Sequence, residues 1–362
     1  MKVVHPEDHA FVVGIDHYPQ LGCLSGAVND AQAFANWLLS PVGGGLDGDN
    51  VTTVITTDEH KDKTIRPTRT RPARDDIVIP LDELHAQANG RPGFRLGRRL
   101  YLYFAGHGGA VQEETIGSGA DVALLCANCA PDRLMHNVQA QLYADWFGRA
   151  RFFDEVVLFM DCCRSSRLFI PALLLGQPYP KIVRSEEVEP ARHLYGFATQ
   201  WDHFAYESEA AAGEEPRGDF SKALLDGLTG GAADGEGTVT SERLDTFVTN
   251  SLRAQARGAI EADVQRPLFV FDRFRPITFQ LPQSTPRFRL RFVQRSGSRD
   301  RVELWWGATT REATREGDDW IWMLPEAGYY VLRFGDEERV IRAFGQVREL
   351  VEREVPTGGS SR

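Results

Sequence analysis

Residues 100–109 read LYLYFAGHGG, and residues 156–166 read VVLFMDCCRSS. Each begins as a continuous apolar run, the pattern of a strand buried on both faces, and each stops at small and polar residues. Similar runs lie to either side, at Ala10–Ile15, Val51–Ile55, Leu194–Thr199 and Pro267–Phe271. Between them, Asn29–Leu39, Asp75–Ala88, Leu142–Ala150, Phe220–Leu228 and Ser241–Ala254 carry apolar residues at helical spacing. Apolar strands interleaved with helices predict an α/β fold whose mostly parallel, six-stranded sheet is covered on both faces.

In such a fold, ligands and catalytic groups gather at the carboxyl ends of the strands. One strand end here carries His107 between Gly106 and Gly108, and another carries Cys162 and Cys163. A thiol needs a nearby imidazole to become a strong nucleophile. Glycines beside the histidine let a peptide approach closely, and the Gly108 amide can donate to a developing oxyanion. The strand ends alone leave open which of the two cysteines reacts.

The chain has 362 residues, too many for one compact core at about 150 residues per domain. Its net charge of −10 argues against a nucleic-acid partner or an anionic membrane surface. No apolar stretch reaches the ~18 residues of a membrane helix, and the first nine residues have no signal-peptide core. Five cysteines, two of them adjacent, suit no disulfide framework. These features predict a cytoplasmic protein without metal or other cofactor.

Five pieces then occur in order: VVGIDHYP at 12–19 with LSGAVNDA at 24–31, LYFAGHGG at 102–109, LFMDCCRSS at 158–166, GFATQ at 196–200 and GDFSKALLDGL at 218–228. In this set the chain resembles the caspase and metacaspase family of cysteine endopeptidases, in its bacterial branch, over about residues 8–275. Cys163 follows His107 by 56 residues, against about 50 in caspases. The resemblance implies a caspase-like three-layer sandwich, with a large-subunit-like region over about 1–180 and a small-subunit-like region over about 192–281. Aligned on the caspase signature Gln-Ala-Cys, Asp161 takes the glutamine place and Cys163 the cysteine, which makes Cys163 the nucleophile. His107 is then its partner, and the amides of Gly108 and Cys163 form the oxyanion hole.

The resemblance also implies a substrate. Asp161 replaces a residue that helps caspases bind aspartate, and Asp30 matches a metacaspase pocket carboxylate. Two carboxylates favour Arg or Lys as the residue before the cut, with Arg preferred for its fork of donors. Two loops, Lys61–Arg74 and Lys181–Arg192, offer Arg69, Arg74, Arg184 and Arg192 as candidate self-cleavage positions. By the same analogy the protein is a zymogen-like protease acting on protein substrates, activated by another protease or a regulatory protein, in a bacterial defence or cell-death pathway. The alternative is a catalytically silent caspase-like scaffold. The family leaves calcium dependence and oligomeric state open.

From about residue 287 the texture changes to short alternating runs rich in tryptophan (Trp305, Trp306, Trp320, Trp322). They predict a small all-β, sandwich-like module of about five strands over 287–350. A linker is expected at 282–286 and a disordered tail over 351–362. This module is the expected place for recruitment or restraint. The pair Cys126 and Cys129 lacks the further ligands of a zinc site. The acidic stretch 234–242 lacks the ligand pattern of a calcium loop and reads as a turn leading to a helix capped by Ser241.

Overall fold

The computed structural model describes residues 4–88, 93–112, 122–164, 170–171, 178–179, 190–200, 203, 205–208, 215–234, 237–255, 264–280, 288–294, 301–306, 309–324, 328–335, 337–343 and 349–353. The chain divides into two compact units, Met1–Leu225 with Asp245–Ile277, and Asp226–Leu244 with Thr278–Arg362. The boundary expected at 281 thus falls at 277, and the segment Asp226–Leu244 belongs to the second unit.

In chain order the strands begin with β1 (His9–Gly14), β2 (Val51–Ile55), β3 (Gly97–Ala105), β4 (Gly108–Gln112), β5 (Val122–Leu125) and β6 (Asn137–Val138). There follow β7 (Phe153–Asp161), β8 (Ile170–Pro171), β9 (Arg192–Phe197), β10 (Glu207–Ser208), β11 (Arg217–Gly218), β12 (Thr238–Thr240), β13 (Leu268–Phe271) and β14 (Thr278–Gln280). The α-helices are α1 (Ala27–Leu39), α2 (Arg74–Gln87), α3 (Ala140–Ala150), α4 (Asp219–Asp226) and α5 (Ser241–Gln255).

The main sheet has the order β13-β9-β7-β3-β1-β2. The sheet is mostly parallel, as the sequence predicts; the one antiparallel pairing in it is β13 with β9. Because side chains alternate along a strand, β3 and β7 each serve two layers. Leu102, Phe104, Leu158 and Met160 join one core with Ile77 and Leu81 of α2 and with Trp146 and Phe147 of α3. On the opposite face, Phe34 of α1 stacks on Tyr103 with ring centroids 4.5 Å apart, and its edge meets Phe159. Helix α4 lies on that same face, where Ser221 and Tyr103 share a hydrogen bond of 2.5 Å. The result is a three-layer sandwich. Each fully buried aromatic stabilises it by about 1.5–3 kcal/mol. Alternation also puts Asp161, the last residue of β7, on the α1 and α4 face.

At the other end of the sheet, buried Arg99 and Glu155 pair, and Arg192 also reaches Glu155. Arg192 therefore opens β9 rather than sitting in a loop, because its cation answers a buried carboxylate.

The second unit holds β12 paired with β14. It continues with β15 (Phe288–Val293), β16 (Val302–Trp306), β17 (Thr309–Arg311), β18 (Thr314–Glu316), β19 (Asp319–Leu324), β20 (Gly328–Phe334), β21 (Glu337–Ala343) and β22 (Glu349–Arg353). They form two four-stranded sheets, β18-β19-β15-β22 and β17-β16-β20-β21. Phe292, Leu304, Trp322, Tyr330 and Leu332 fill one core between them. The sandwich thus has eight strands where about five were expected. The missed β17 and β18 are three-residue polar strands, too short to show alternation.

Residues 351–353, expected to open the tail, are strand instead, since β22 pairs with β15 through Arg353. The expected linker 282–286 and the tail from 354 lie outside the described residues. The cap of α5 is Thr240, whose hydroxyl accepts the Arg243 amide, rather than Ser241, the first helical residue. No helix among the described residues is long and apolar enough to cross a membrane.

Candidate active site

The two strand ends are in register. Ala105 of β3 is the partner of Asp161 of β7, and the Gly106 amide donates to the Asp161 carbonyl at 3.2 Å. His107 and Cys163 each lie two residues beyond this last rung. A Cβ at position 108 would sit 2.5 Å from the Cys163 carbonyl oxygen and 2.6 Å from the Cys162 Cβ, so only glycine lets the segments approach this closely.

Alternation answers the question of the paired cysteines. Cys162 is fully buried, with its thiol against the Phe104 carbonyl at 3.7 Å. Cys163 is half-buried on the other side, and its sulfur accepts the Ala205 amide at 3.3 Å. Arg164 then turns inward, with its guanidinium on the Thr199 carbonyl and over the Phe197 ring, which fixes the strand exit.

His107 is held at three points. Its Nε2 lies 2.8 Å from the Gly22 carbonyl, and since a carbonyl only accepts, Nε2 carries the proton and Nδ1 is the basic nitrogen. Its backbone amide donates to the Tyr18 hydroxyl at 3.0 Å, and that hydroxyl donates to the Leu125 carbonyl at 3.0 Å. The Leu125 amide returns to the His107 carbonyl at 2.8 Å. The Tyr18 hydroxyl is thus inserted where the β4–β5 ladder would place its second hydrogen bond. The next rung, Gly108 opposite Leu124, is then a non-bonded pair, which turns the Gly108 amide away from β5. Burial lowers the pKa of His107, and burial raises that of Cys163. The resting pair is accordingly imidazole and thiol rather than imidazolium and thiolate.

His107 and Cys163 line one cavity of about 360 Å³ together with Asp30, Asp161, Glu207 and Gly218. Asp161 is buried, and its Oδ2 accepts both the amide and the hydroxyl of Ser221, at 3.2 and 2.6 Å. Asp30, in the first turn of α1, accepts Arg217 Nε at 2.7 Å and the Gly218 amide at 2.7 Å. Glu207 accepts the amides of Ser25 and Gly26, at 3.0 and 2.9 Å, just ahead of α1. Burial raises the pKa of both aspartates, and the charge of Asp30 raises that of Asp161 further.

The structure therefore gathers four of the sequence-predicted residues, His107, Cys163, Asp30 and Asp161, around one cavity, with Gly108 packed against Cys163. Of the candidate self-cleavage residues, Arg69 ends an exposed 3-10 turn, Arg74 opens α2, and Arg192 opens β9. Arg184 lies outside the described residues. Cys126 and Cys129 are buried, and burial pushes the Cys129 thiol up to about 11. Sequence reasoning missed Tyr18, Gly22, Glu207, Arg217 and Ser221. Two of them, Tyr18 and Ser221, lie inside the family-like motifs, but nothing local marks the atoms they contribute.

The first unit is thus an α/β sandwich that sets a thiol and an imidazole at adjacent strand tips beside an acid-lined cavity. The chain belongs to the caspase-domain family, whose model matches residues 7–275. It is similar to a curated protein from a Desulfuromonadales bacterium named "Probable protease", with 29% identity over 232 residues, 62% of this chain. Those residues span 26% of that relative's length. Among solved structures, it is similar to caspase-1 from Spodoptera frugiperda, at 14% identity and a TM-score of 0.46, over 78% of this chain and 93% of that one. A protein of Geobacter sulfurreducens matches at 14% identity and a TM-score of 0.41, over 77% of this chain and 96% of that one.

Proposed function

We propose that the chain is a cysteine endopeptidase that cuts protein substrates after arginine or lysine. The observation that carries this reading is the single cavity shared by His107, Cys163 and three carboxylates. In the proposed reaction, His107 Nδ1 takes the Cys163 proton as the sulfur attacks the scissile carbonyl carbon and the C–S bond forms. The amides of Gly108 and Cys163 donate to the oxyanion, each worth about 2.7–4 kcal/mol in the transition state. Collapse breaks the C–N bond, and the leaving nitrogen takes the proton from Nδ1. Water, deprotonated by His107, then attacks the thioester, and the thiol leaves. The Gly22 carbonyl keeps the ring in one tautomer and stabilises its charged form.

The acidic cavity supports a basic side chain before the cut, since a carboxylate there would meet like charges. Self-processing is proposed at Arg69 or Arg184. Arg74 and Arg192 are disfavoured because their backbones are already helix and strand, and a peptidase groove takes extended chain.

Fluorogenic peptides ending in Arg, Lys or Asp test the specificity, and an arginyl chloromethyl ketone tests the nucleophile. Arg and Lys peptides are turned over; Cys163→Ala loses both turnover and labelling, and Cys162→Ala keeps both. Turnover of the Asp peptide alone overturns the specificity. Absence of labelling, before and after limited proteolysis, overturns the peptidase reading itself.

A further inference from the structure

The three carboxylates of the cavity are not equally available. Both oxygens of Glu207 accept backbone amides, and both oxygens of Asp30 are taken, by Arg217 Nε and by the Gly218 amide. Ser221 bonds only Oδ2 of Asp161. Among the described residues no hydrogen bond reaches Asp161 Oδ1. Arg217 itself does not line the cavity; it reaches Asp30 from β11, one residue before Gly218. Its Nη2 is buried and has no acceptor. A guanidinium already short of one partner would leave a second N–H unpaired if it released Asp30, at a desolvation cost. It therefore stays in place when another cation arrives.

We propose that Arg217 sets the specificity of this cavity by keeping Asp30 occupied, so that the free oxygen of Asp161 is the group that meets an arginyl or lysyl side chain. The inference rests on the reading of the cavity as a basic side-chain pocket and deepens it. Asp30 and Arg217 together contribute no net charge, and Asp161 carries the recognition. Gly218 is what brings the groups together: a Cβ there would lie 2.3 Å from Asp161 Oδ2 and 3.1 Å from Asp30 Oδ2.

The test measures binding of N-acetyl-arginine amide to the full chain carrying Cys163→Ala, so that no turnover is needed. Removing the pair as a unit, with Asp30→Asn and Arg217→Gln together, leaves the Kd within about threefold. Asp161→Asn weakens it by at least about thirtyfold, and Asp30→Asn alone weakens it too, by exposing the Arg217 charge. A double variant that loses binding as fully as Asp161→Asn overturns the inference. If the double variant does not fold, carboxyl carbon-13 shifts of the Cys163→Ala protein decide, with Asp161 moving on ligand addition and Asp30 staying. An Asp30 shift as large as that of Asp161 overturns it. No binding by the Cys163→Ala protein overturns the pocket reading and this inference together. Binding that is lost only in the double variant overturns this inference alone.

Discussion

Replacing Tyr18 by phenylalanine removes one oxygen atom from a ring that is otherwise fully buried. The ring stays packed against the His107 imidazole, with centroids 4.6 Å apart, so no cavity larger than that oxygen opens. What is lost is the bridge from the His107 amide to the Leu125 carbonyl. An amide left buried without an acceptor costs about 1–3 kcal/mol. At about 2–4 °C per kcal/mol for a unit of this size, the thermal midpoint falls by about 2–12 °C.

The catalytic effect is separable from the loss of stability. His107 keeps its Gly22 contact but loses one of two backbone ties to Leu125, and a 1 Å misplacement of a catalytic group can cost about 100-fold. The expected outcome is a kcat lowered about 10- to 100-fold for an arginyl peptide. KM stays nearly constant, because Tyr18 does not line the cavity. The assay is steady-state kinetics alongside urea denaturation. A Tyr18→Phe protein that is destabilised yet keeps its kcat would refute the positioning role. One unchanged in both would refute the bridge.

Other outcomes follow from the same geometry. Gly108→Ala places a methyl group 2.5 Å from the Cys163 carbonyl oxygen, so the Cys163 segment must shift. Overpacking of this kind costs about 1–3 kcal/mol, and thiol labelling should slow by at least tenfold. Native labelling rates would show that the two tips tolerate separation. The pocket aspartates give KM a pH dependence: burial raises their pKa, so on acidification they protonate earlier than ordinary carboxylates and the cavity loses its charge. KM for an arginyl peptide should therefore fall as pH rises through 6 to 7, and Asp161→Asn should flatten the trend. The linkage to stability has the opposite sign. Between the ordinary carboxylate pKa and the raised one the folded chain binds more protons than the unfolded chain, so these groups favour the fold at low pH, an advantage lost as pH rises. A KM independent of pH from 5 to 8 would mean that Asp161 does not face the substrate.

Much of the chemistry was legible in the chain because it sits where patterns are strongest. His107 and Cys163 end the two most apolar central strands, and such strands show themselves as unbroken runs. Asp161 needed the family resemblance to acquire a role, and Asp30 needed it to be noticed. The short polar strands of the second unit and the cap of α5 left no comparable trace, since two or three residues cannot display a period.

The sequence by itself determined the alternation of strands and helices, and with it the sheet and the two strand tips that carry His107 and Cys163, because hydrophobic periodicity is a local property of the chain. Tertiary structure placed Cys163, the nucleophile the resemblance implied, at the cavity and Cys162 in the core, and it alone decided that Asp30 is taken by Arg217, which lies 187 residues away. It also decided that Tyr18 and the Gly22 carbonyl hold the histidine from 89 and 85 residues away. Each of those contacts joins residues far apart in the chain, so no local pattern reveals it and only position in space does.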